Sequence, residues 1–256
     1  MRRSDTEMSV EQLADSAGPL TAADLMAVAM ARLLRDGERV FHGVASPLPM
    51  VAILLAKRLH APNLVYINIA GSIDPAPHHL AKSSTAPALL PGSATQFTLA
   101  DLFDLSARGG LDTAFLGGVQ IDGAGRINMS AIGEFAHPRV RLPGGAGSAL
   151  ILPTARRTIL WRTQHTPRSL VERLDFVTAA GHVDRLVTPL CVFRKQGDGF
   201  VLEGLMPGAA IETVRQQTGF AFASADPAPM LPPPSAAELA ALAEVDPERV
   251  REVEFH

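Results

Sequence analysis

Residues 49–71, PMVAILLAKRLHAPNLVYINIAG, decide the fold. The first part is an apolar run that ends in Lys57 and Arg58 before Pro62, which predicts a largely buried helix. The second part, NLVYINIAG, is short and almost continuously apolar, as is typical of a strand covered on both faces of a sheet. A buried helix that leads directly into such a strand predicts an α/β fold with a parallel sheet.

The segments on either side repeat this alternation of helix and strand. Thr21 and Asp24 have the spacing of a capping box at the start of an amphipathic helix, and the strand pattern ERVFHGV follows it. Thr98 and Asp101 have the same spacing at the start of a later helix. We therefore predict an open, mostly parallel sheet flanked by helices.

The second half of the chain continues with shorter elements. The patterns predict a strand in RRTILWRT at 156–163, a β-hairpin in 186–208 that turns at 197–199, and a helix at 210–220. A proline-rich connector and an alanine-rich helix follow within 225–246. Residues 1–20 are polar and unpatterned, so we expect a flexible extension there and a single domain over 21–256.

Composition limits the classes of function. With 47% hydrophobic residues, 19% charged residues and a net charge of -3, the chain has the composition of a soluble globular protein and no basic surface for nucleic acid. The longest apolar run, MVAILLA, is too short to cross a membrane. The single cysteine, Cys191, has no partner within the chain, and we expect a cytoplasmic protein.

Two glycine clusters interrupt apolar segments. The strand pattern LDTAFLGGVQID at 111–122 contains the first cluster, and LPGGAGSA at 142–149 contains the second. Glycine at the carboxyl end of a strand lets a ligand approach backbone N–H groups, whereas the alternative is a tight turn. The residues in question are Gly117 and Gly118 in the first cluster, and Gly144, Gly145 and Gly147 in the second.

Other polar residues give weaker signals. Adjacent histidines rarely bind one metal, so we expect a solvated loop and no metal site at His78 and His79. Pro138 disfavours a helix that would place Glu134 beside His137, and neither Ser130 nor Ser148 has the glycine spacing of a nucleophile elbow. Arg139 and Arg141 flank the second glycine cluster, where they would either bind an anion or be solvated.

Several motifs in order resemble the B subunits of the family I CoA-transferases, of which the glutaconate enzymes are one type. They are AKRLHAPNLVYINIAG, FLGGVQIDGAGRINMSAIG, HPRVRLPGGAGSA and LDFVTAAG. The resemblance implies an α/β fold of the CoA-transferase type, an A-type partner subunit and an active site between the two chains. It implies an acyl-CoA thioester as substrate and no permanently bound cofactor.

The resemblance also implies roles for individual residues. Gly117 matches the position whose backbone N–H holds the thioester oxygen, with Gly118 and Gln120 beside it. The second glycine cluster, at 142–149, is from here on called the second glycine loop. This loop and Arg141 are then expected to contact the substrate or its CoA part. The family's catalytic glutamate, two residues before a glycine, corresponds to Ile69, which cannot be a nucleophile.

Three hypotheses remain open. This chain is the B subunit of a CoA-transferase, the B subunit of a ring-cleaving acyl-CoA hydrolase whose glutamate lies in the partner, or a non-catalytic CoA-binding scaffold. A carboxylate could come from the partner or from Asp74, which follows Gly71, whereas Asn68 should point to the opposite face of the strand from Ile69.

Overall fold

The computed structural model describes residues 19–255, so the predicted extension at 1–20 lies almost entirely outside the described residues. The helices bear out the sequence patterns, and the capping boxes at Thr21–Asp24 and Thr98–Asp101 both form. The α-helices are α1 (Ala22–Arg32), α2 (Pro47–Leu59), α3 (Leu99–Ala107), α4 (Ser148–Thr154), α5 (Ile211–Gln217) and α6 (Ala236–Val245). Short 3₁₀ helices span Pro87–Leu89 and Val250–Phe255.

Fifteen strands are present in the described part of the chain. They are β1 (Arg39–His42), β2 (Val65–Asn68), β3 (Ser72–Ile73), β4 (Thr95–Gln96), β5 (Thr113–Gly117), β6 (Gln120–Asp122), β7 (Ile127–Asn128), β8 (Ala131–Ile132), β9 (Val140–Arg141), β10 (Arg157–Trp161), β11 (Leu170–Val171), β12 (Val183–Val187), β13 (Cys191–Gln196), β14 (Gly199–Leu205) and β15 (Phe222–Ala223).

One large sheet carries the fold, in the order β15-β14-β13-β12-β10-β5-β1-β2-β3-β4. Its centre, from β12 to β2, is entirely parallel, while β13 and β14 form the predicted antiparallel hairpin. The predicted α/β class and mostly parallel sheet are confirmed. Because the central strands are parallel, their carboxyl ends all lie at one edge of the sheet, where ligands bind in open α/β folds.

The prediction of one strand over 111–122 is wrong. The chain leaves the large sheet after Gly117, and β6 pairs instead with β7 and β11 in a separate three-stranded sheet. A Cβ on Gly118 would lie 2.9 Å from Cγ1 of Ile121 and 3.1 Å from Cγ2 of Ile127, so the bend is packed tightly. The break therefore places Gly117 at the end of a central strand rather than in its middle.

The C-terminal segment returns to the start of the domain. Arg251 lies buried between Asp24 of α1 and Asp246, with Nε 2.7 Å from Asp24 Oδ1 and Nη1 2.8 Å from Asp246 Oδ2. Separating a buried, hydrogen-bonded charge pair of this kind is unfavourable, because each group would be left buried without its partner. The pairing fixes the last 3₁₀ helix against α1 and α2. None of the helices within residues 19–255 is both long and apolar enough to cross a membrane.

Candidate functional site

A pocket of about 690 Å³ opens at the carboxyl ends of β1, β2, β5 and β10. From each of these strands, the last residues of the strand or the residues just after it line the pocket. The sides of the pocket are formed by α3, the second glycine loop and the C-terminal 3₁₀ helix. The residues of the strand ends are Gly43, Val44, Ile69, Gly117, Gly118, Trp161 and Arg162. A concave, mostly apolar cavity with a few polar groups is the usual form of a small-molecule site.

The first glycine pair lies in this pocket and its two members differ. A Cβ on Gly117 would make only ordinary contacts, 3.9 Å from Cε2 and Cζ2 of Trp161, so packing does not require glycine there. Gly118 has no room for a Cβ. The Gly118 N–H has no hydrogen-bond partner within residues 19–255, whereas the next N–H, of Val119, donates to Asn128 O at 3.1 Å. At Gly117 and Gly118 the pocket is therefore lined by backbone that no side chain covers.

The second glycine loop forms another part of the pocket wall. Gly144, Gly145 and Gly147 all line the pocket, together with Ser148 at the start of α4. Gly144 has φ +95°, which favours glycine, and its N–H donates to Met129 O at 2.7 Å. A Cβ on Gly145 would lie 2.9 Å from Ser148 Oγ, so the loop packs closely around that hydroxyl.

Ile69 also lines the pocket, directly after β2. A buried hydrogen-bonded network fixes the backbone beneath it. The Nε2 atom of His42 lies 2.7 Å from Tyr66 Oη, to which Asn68 Nδ2 donates at 2.5 Å, and the Asn68 side chain in turn accepts from Ala70 N at 2.6 Å. Burial lowers the pKa of His42 to about 4, so the imidazole is neutral. Asn68 is therefore a structural residue, and Ile69 offers hydrocarbon to the pocket.

Three side-chain polar atoms at the pocket are buried without a hydrogen-bond partner among the described residues. They are Trp161 Nε1, Arg162 Nε and Ser148 Oγ. Trp161 and Ser148 are each only 6% exposed as whole residues. Buried polar atoms normally find partners, so an unpaired set along one pocket indicates a place where a ligand supplies the acceptors.

Glu254, in the C-terminal 3₁₀ helix, lines the same pocket. Its carboxyl lies 3.5 Å from the N–H of Leu48 in the first turn of α2. Burial raises the pKa of Glu254 to about 8, against the smaller opposing effects of that N–H and of the Arg162 charge. Sequence reasoning missed this residue, because nothing in the pattern VREVEF indicates which side of the C-terminal segment meets the sheet.

Asp74, the carboxylate of this chain that could replace the family's glutamate, does not have the environment of a nucleophile. Its carboxylate is 2.6 Å from Nζ of Lys57 and accepts the N–H of Tyr66 at 3.0 Å. It does not line the pocket. The structure therefore assigns Asp74 to an ion pair that ties β2 to the end of α2.

Two predicted binding residues lie outside the pocket lining. Gln120 is buried and accepts from Asn128 Nδ2 at 2.7 Å, so it joins β6 to β7. Arg141, in β9, is exposed, and its guanidinium lies 4.9 Å from the centre of the Phe135 ring. Arg139, directly before β9, is also exposed.

The remaining polar candidates have structural or surface roles. Nδ1 of His79 lies 2.8 Å from Glu248 at the surface, and Ser130 Oγ lies 2.7 Å from Thr178 Oγ1. Glu134 and His137 belong to one exposed turn. Of these candidates only Ser148 reaches the pocket, and no group of three potential metal ligands occurs in the described region.

Comparison with known proteins adds three findings to this geometry. The sequence model of the family described as "Coenzyme A transferase" matches residues 23–217. The B subunit of the 3-oxoadipate CoA-transferase of Pseudomonas knackmussii is 31% identical over 238 residues, which are 86% of this chain and 90% of that protein. The cholesterol ring-cleaving hydrolase IpdB subunit of Mycobacterium tuberculosis is 27% identical over 252 residues, 92% of this chain and 98% of that protein.

Among solved structures, the chain is similar to one chain of the decarboxylase AibA/AibB. The TM-score is 0.86 at 34% sequence identity, and the match covers 92% of this chain and 99% of that chain. The similar proteins thus include a transferase, a hydrolase and a decarboxylase on one fold.

Proposed function

The chain belongs to the coenzyme A transferase family as a B-type subunit of a heteromeric enzyme, and from this premise we propose that it acts on an acyl-CoA thioester together with an A-type subunit. The observation that carries the proposal is the pocket at the sheet edge, which is lined both by the backbone of Gly117 and Gly118 and by the second glycine loop. The partner subunit completes the site and supplies the catalytic carboxylate.

The pocket suits the acyl part of such a substrate. Its lining includes Phe41, Leu102 and Leu116, and apolar walls of this kind bind hydrocarbon. We assign the CoA part to the side of the pocket that the second glycine loop forms. Arg141, in the exposed strand β9, comes just before this loop in the sequence, and we propose that it contacts a phosphate of CoA. CoA enters and leaves as part of the substrate, so the proposed reaction requires no permanently bound cofactor.

The backbone N–H groups at Gly117 and Gly118 are proposed to stabilise the charge that develops on the thioester oxygen. Attack by the partner's glutamate forms a C–O bond and moves the carbonyl π electrons onto oxygen. When the carbonyl re-forms, the C–S bond breaks and the CoA thiolate leaves, with the acyl group held on the partner as an anhydride. The thiolate then attacks the glutamyl carbonyl, which gives a glutamyl-CoA thioester and releases the first acid.

A hydrolase is a second candidate, and Ile69 is the observation that favours it. An isoleucine at the matched position of the family's glutamate removes the nucleophile from this subunit. In the hydrolase, a carboxylate of the partner takes a proton from water while the water oxygen bonds to a ring carbonyl carbon of the substrate, whose π electrons move onto oxygen. When that carbonyl re-forms as an acid, the adjacent ring C–C bond breaks and the leaving carbon takes the proton from the partner's carboxyl group. A non-catalytic scaffold would bind the thioester without converting it.

The experiment is to assemble the chain with its A-type subunit and supply acetyl-, butyryl- or glutaryl-CoA with a free acid as acceptor. CoA appearing on the acceptor supports transfer. A cyclic ketone acyl-CoA is supplied in parallel, and a ring-opened product that has gained one water supports hydrolysis. Binding of both kinds of thioester without conversion supports the scaffold. We expect the isolated chain to be inactive, so turnover by this chain alone contradicts the proposal.

The source of the carboxylate is tested in the same complex. Borohydride reduces a glutamyl-CoA thioester to the alcohol, and peptide mapping locates the modified residue. We expect the modification on the partner chain if the enzyme is a transferase, and on neither chain if it is a hydrolase. Modification of Asp74 or Glu254 would show that this subunit carries the nucleophile.

A further inference from the structure

We propose that the indole N–H of Trp161 is a side-chain donor to the substrate's carbonyl oxygen, acting beside the bare backbone of Gly117 and Gly118. This inference rests on the proposed function and deepens it, because it names a further binding and catalytic residue of the same site.

The first support is that the donor is buried and unused. Trp161 is 6% exposed, and its Nε1 has no acceptor among residues 19–255. A donor withdrawn from water without an acceptor is unfavourable, so a bound molecule that brings an acceptor is favoured. Trp161 lines the pocket, so a bound substrate lies against this residue.

The second support is its position. In the parallel pairing of β10 with β5, Trp161 lies opposite Gly117. The Cε2 atom, which is bonded to Nε1, lies 3.9 Å from where a Cβ of Gly117 would be. The edge of the ring next to Nε1, formed by Cε2 and Cζ2, therefore lies against a strand end that has no side chain. A substrate oxygen placed at Gly117 is next to this edge.

The third support is the number of donors. The Gly118 N–H is also unpaired in the described part of the chain. Oxyanion sites work by aiming two or more fixed donors at one oxygen in a site that excludes water. An indole N–H can only donate, so it cannot compete with the oxygen as an acceptor.

The chain offers a direct spectroscopic test, because Trp161 is its single tryptophan. The complex is assembled from this chain carrying ¹⁵N-labelled tryptophan and an unlabelled A-type subunit, so one indole resonance is observed. The probes are butyryl-CoA and the butyl-CoA thioether, which has the same chain but no carbonyl oxygen. We expect butyryl-CoA to move the indole N–H resonance downfield and to slow its exchange with solvent, and the thioether to do neither.

The matching variants are Trp161→Phe, which keeps an aromatic ring and removes the N–H, and Thr158→Val. Thr158 is on the same strand and its buried Oγ1 is also unpaired, but it does not line the pocket. We expect Trp161→Phe to lower kcat by about 10-fold to 100-fold, with a much smaller change in KM. We expect Thr158→Val to change neither.

The outcomes separate this inference from the proposed function. If the wild-type complex converts acyl-CoA while the indole resonance responds equally to both probes, or to neither, and Trp161→Phe keeps its kcat, the inference is wrong and the proposed function stands. If the wild-type complex neither binds nor converts any acyl-CoA, both are wrong. Should Trp161→Phe fail to assemble, the resonance of the wild-type complex decides.

Discussion

At the scale of single residues, the two adjacent glycines of the pocket have different reasons to be glycine. A Cβ on Gly118 would collide with Ile121 and Ile127, which is a packing constraint. A Cβ on Gly117 would meet only Trp161 at an ordinary distance, so the fold itself tolerates a side chain there. What a side chain on Gly117 would change is the pocket.

We predict that Gly117→Val lowers turnover by about 10²-fold while the complex still assembles, because the added methyl groups occupy the space of the substrate oxygen. Gly118→Ala is the comparison, and it should instead lower the thermal midpoint of unfolding, because its Cβ has no room. Steady-state kinetics and thermal melting of both complexes measure this. Unchanged turnover in the Gly117→Val complex would make Gly117 merely a turn residue.

We predict that Glu254→Gln makes the chain relatively more stable in alkaline solution. Burial raises the pKa of Glu254 to about 8 from an ordinary value of 4.5, so the carboxyl stabilises the fold below pH 4.5 and this contribution is lost as the pH rises through 8. The melting temperature of the variant minus that of the wild type should therefore be larger at pH 9 than at pH 5. An equal difference at both pH values contradicts the prediction.

The residue scale also shows where sequence reasoning stops. Gly117 and Ile69 could be singled out because each lies within a motif next to a strand pattern. Trp161 could not, since RRTILWRT indicates only that Trp161 is in a strand. Trp161 is a candidate donor because the register of β10 against β5 places it opposite Gly117, and no local sequence pattern specifies that register.

At the scale of elements, the capping residues were the most predictable features. Thr98 accepts the Asp101 N–H at 3.3 Å, and Asp101 accepts the Thr98 N–H at 2.8 Å, as their spacing indicates. The helix they begin, α3, supplies Leu99, Leu102 and Phe103 to the pocket. The break between β5 and β6 was not predicted, because the apolar pattern of 111–122 continues across the glycines and only the pairing with β7 and β11 separates the two strands.

We predict that Thr98→Ala lowers the free energy of unfolding by about 1 kcal/mol, because the start of α3 loses a side-chain acceptor for its free N–H groups. Thr95→Ala is the control, since Thr95 is exposed and makes only a 3.5 Å contact with a neighbouring carbonyl. Urea unfolding of both variants gives the comparison. If the two midpoints agree within error, the capping box does not stabilise the domain.

At the scale of the whole molecule, alternation of helix and strand indicated the α/β class, but not how the C-terminal 3₁₀ helix packs against α1. The buried contact between Asp24 and Arg251 joins residues 227 positions apart. Nothing local in the sequence pairs them. Such contacts are decided by tertiary packing, which is why the C-terminal wall of the pocket could not be predicted while the sheet could.

Two buried histidines should make the whole molecule sensitive to acid. Burial lowers the pKa of His42 and of His165 to about 4, so the unfolded chain binds protons there at a higher pH than the folded chain. Stability is then lost as the pH falls from 6.5 towards 4, by up to about 1.4 kcal/mol per pH unit for each histidine.

His165 allows this to be tested away from the pocket, because its ring nitrogens lie 2.8 Å from Thr188 Oγ1 and 2.9 Å from Thr218 Oγ1. We predict that His165→Gln reduces the dependence of the unfolding free energy on pH between 6.5 and 4.5, whatever its effect at pH 7. Urea unfolding at three pH values measures the slope. A slope equal to that of the wild type would contradict the assignment.

The return of the C-terminal segment to the sheet edge has a practical consequence for handling the protein. Glu254 lines the pocket, so a peptide tag inserted directly after Phe255 would begin beside the pocket. A tag at that position, or proteolytic removal of Val250–Phe255, would alter the pocket wall itself. Purification through a tag on the partner subunit keeps the wall intact.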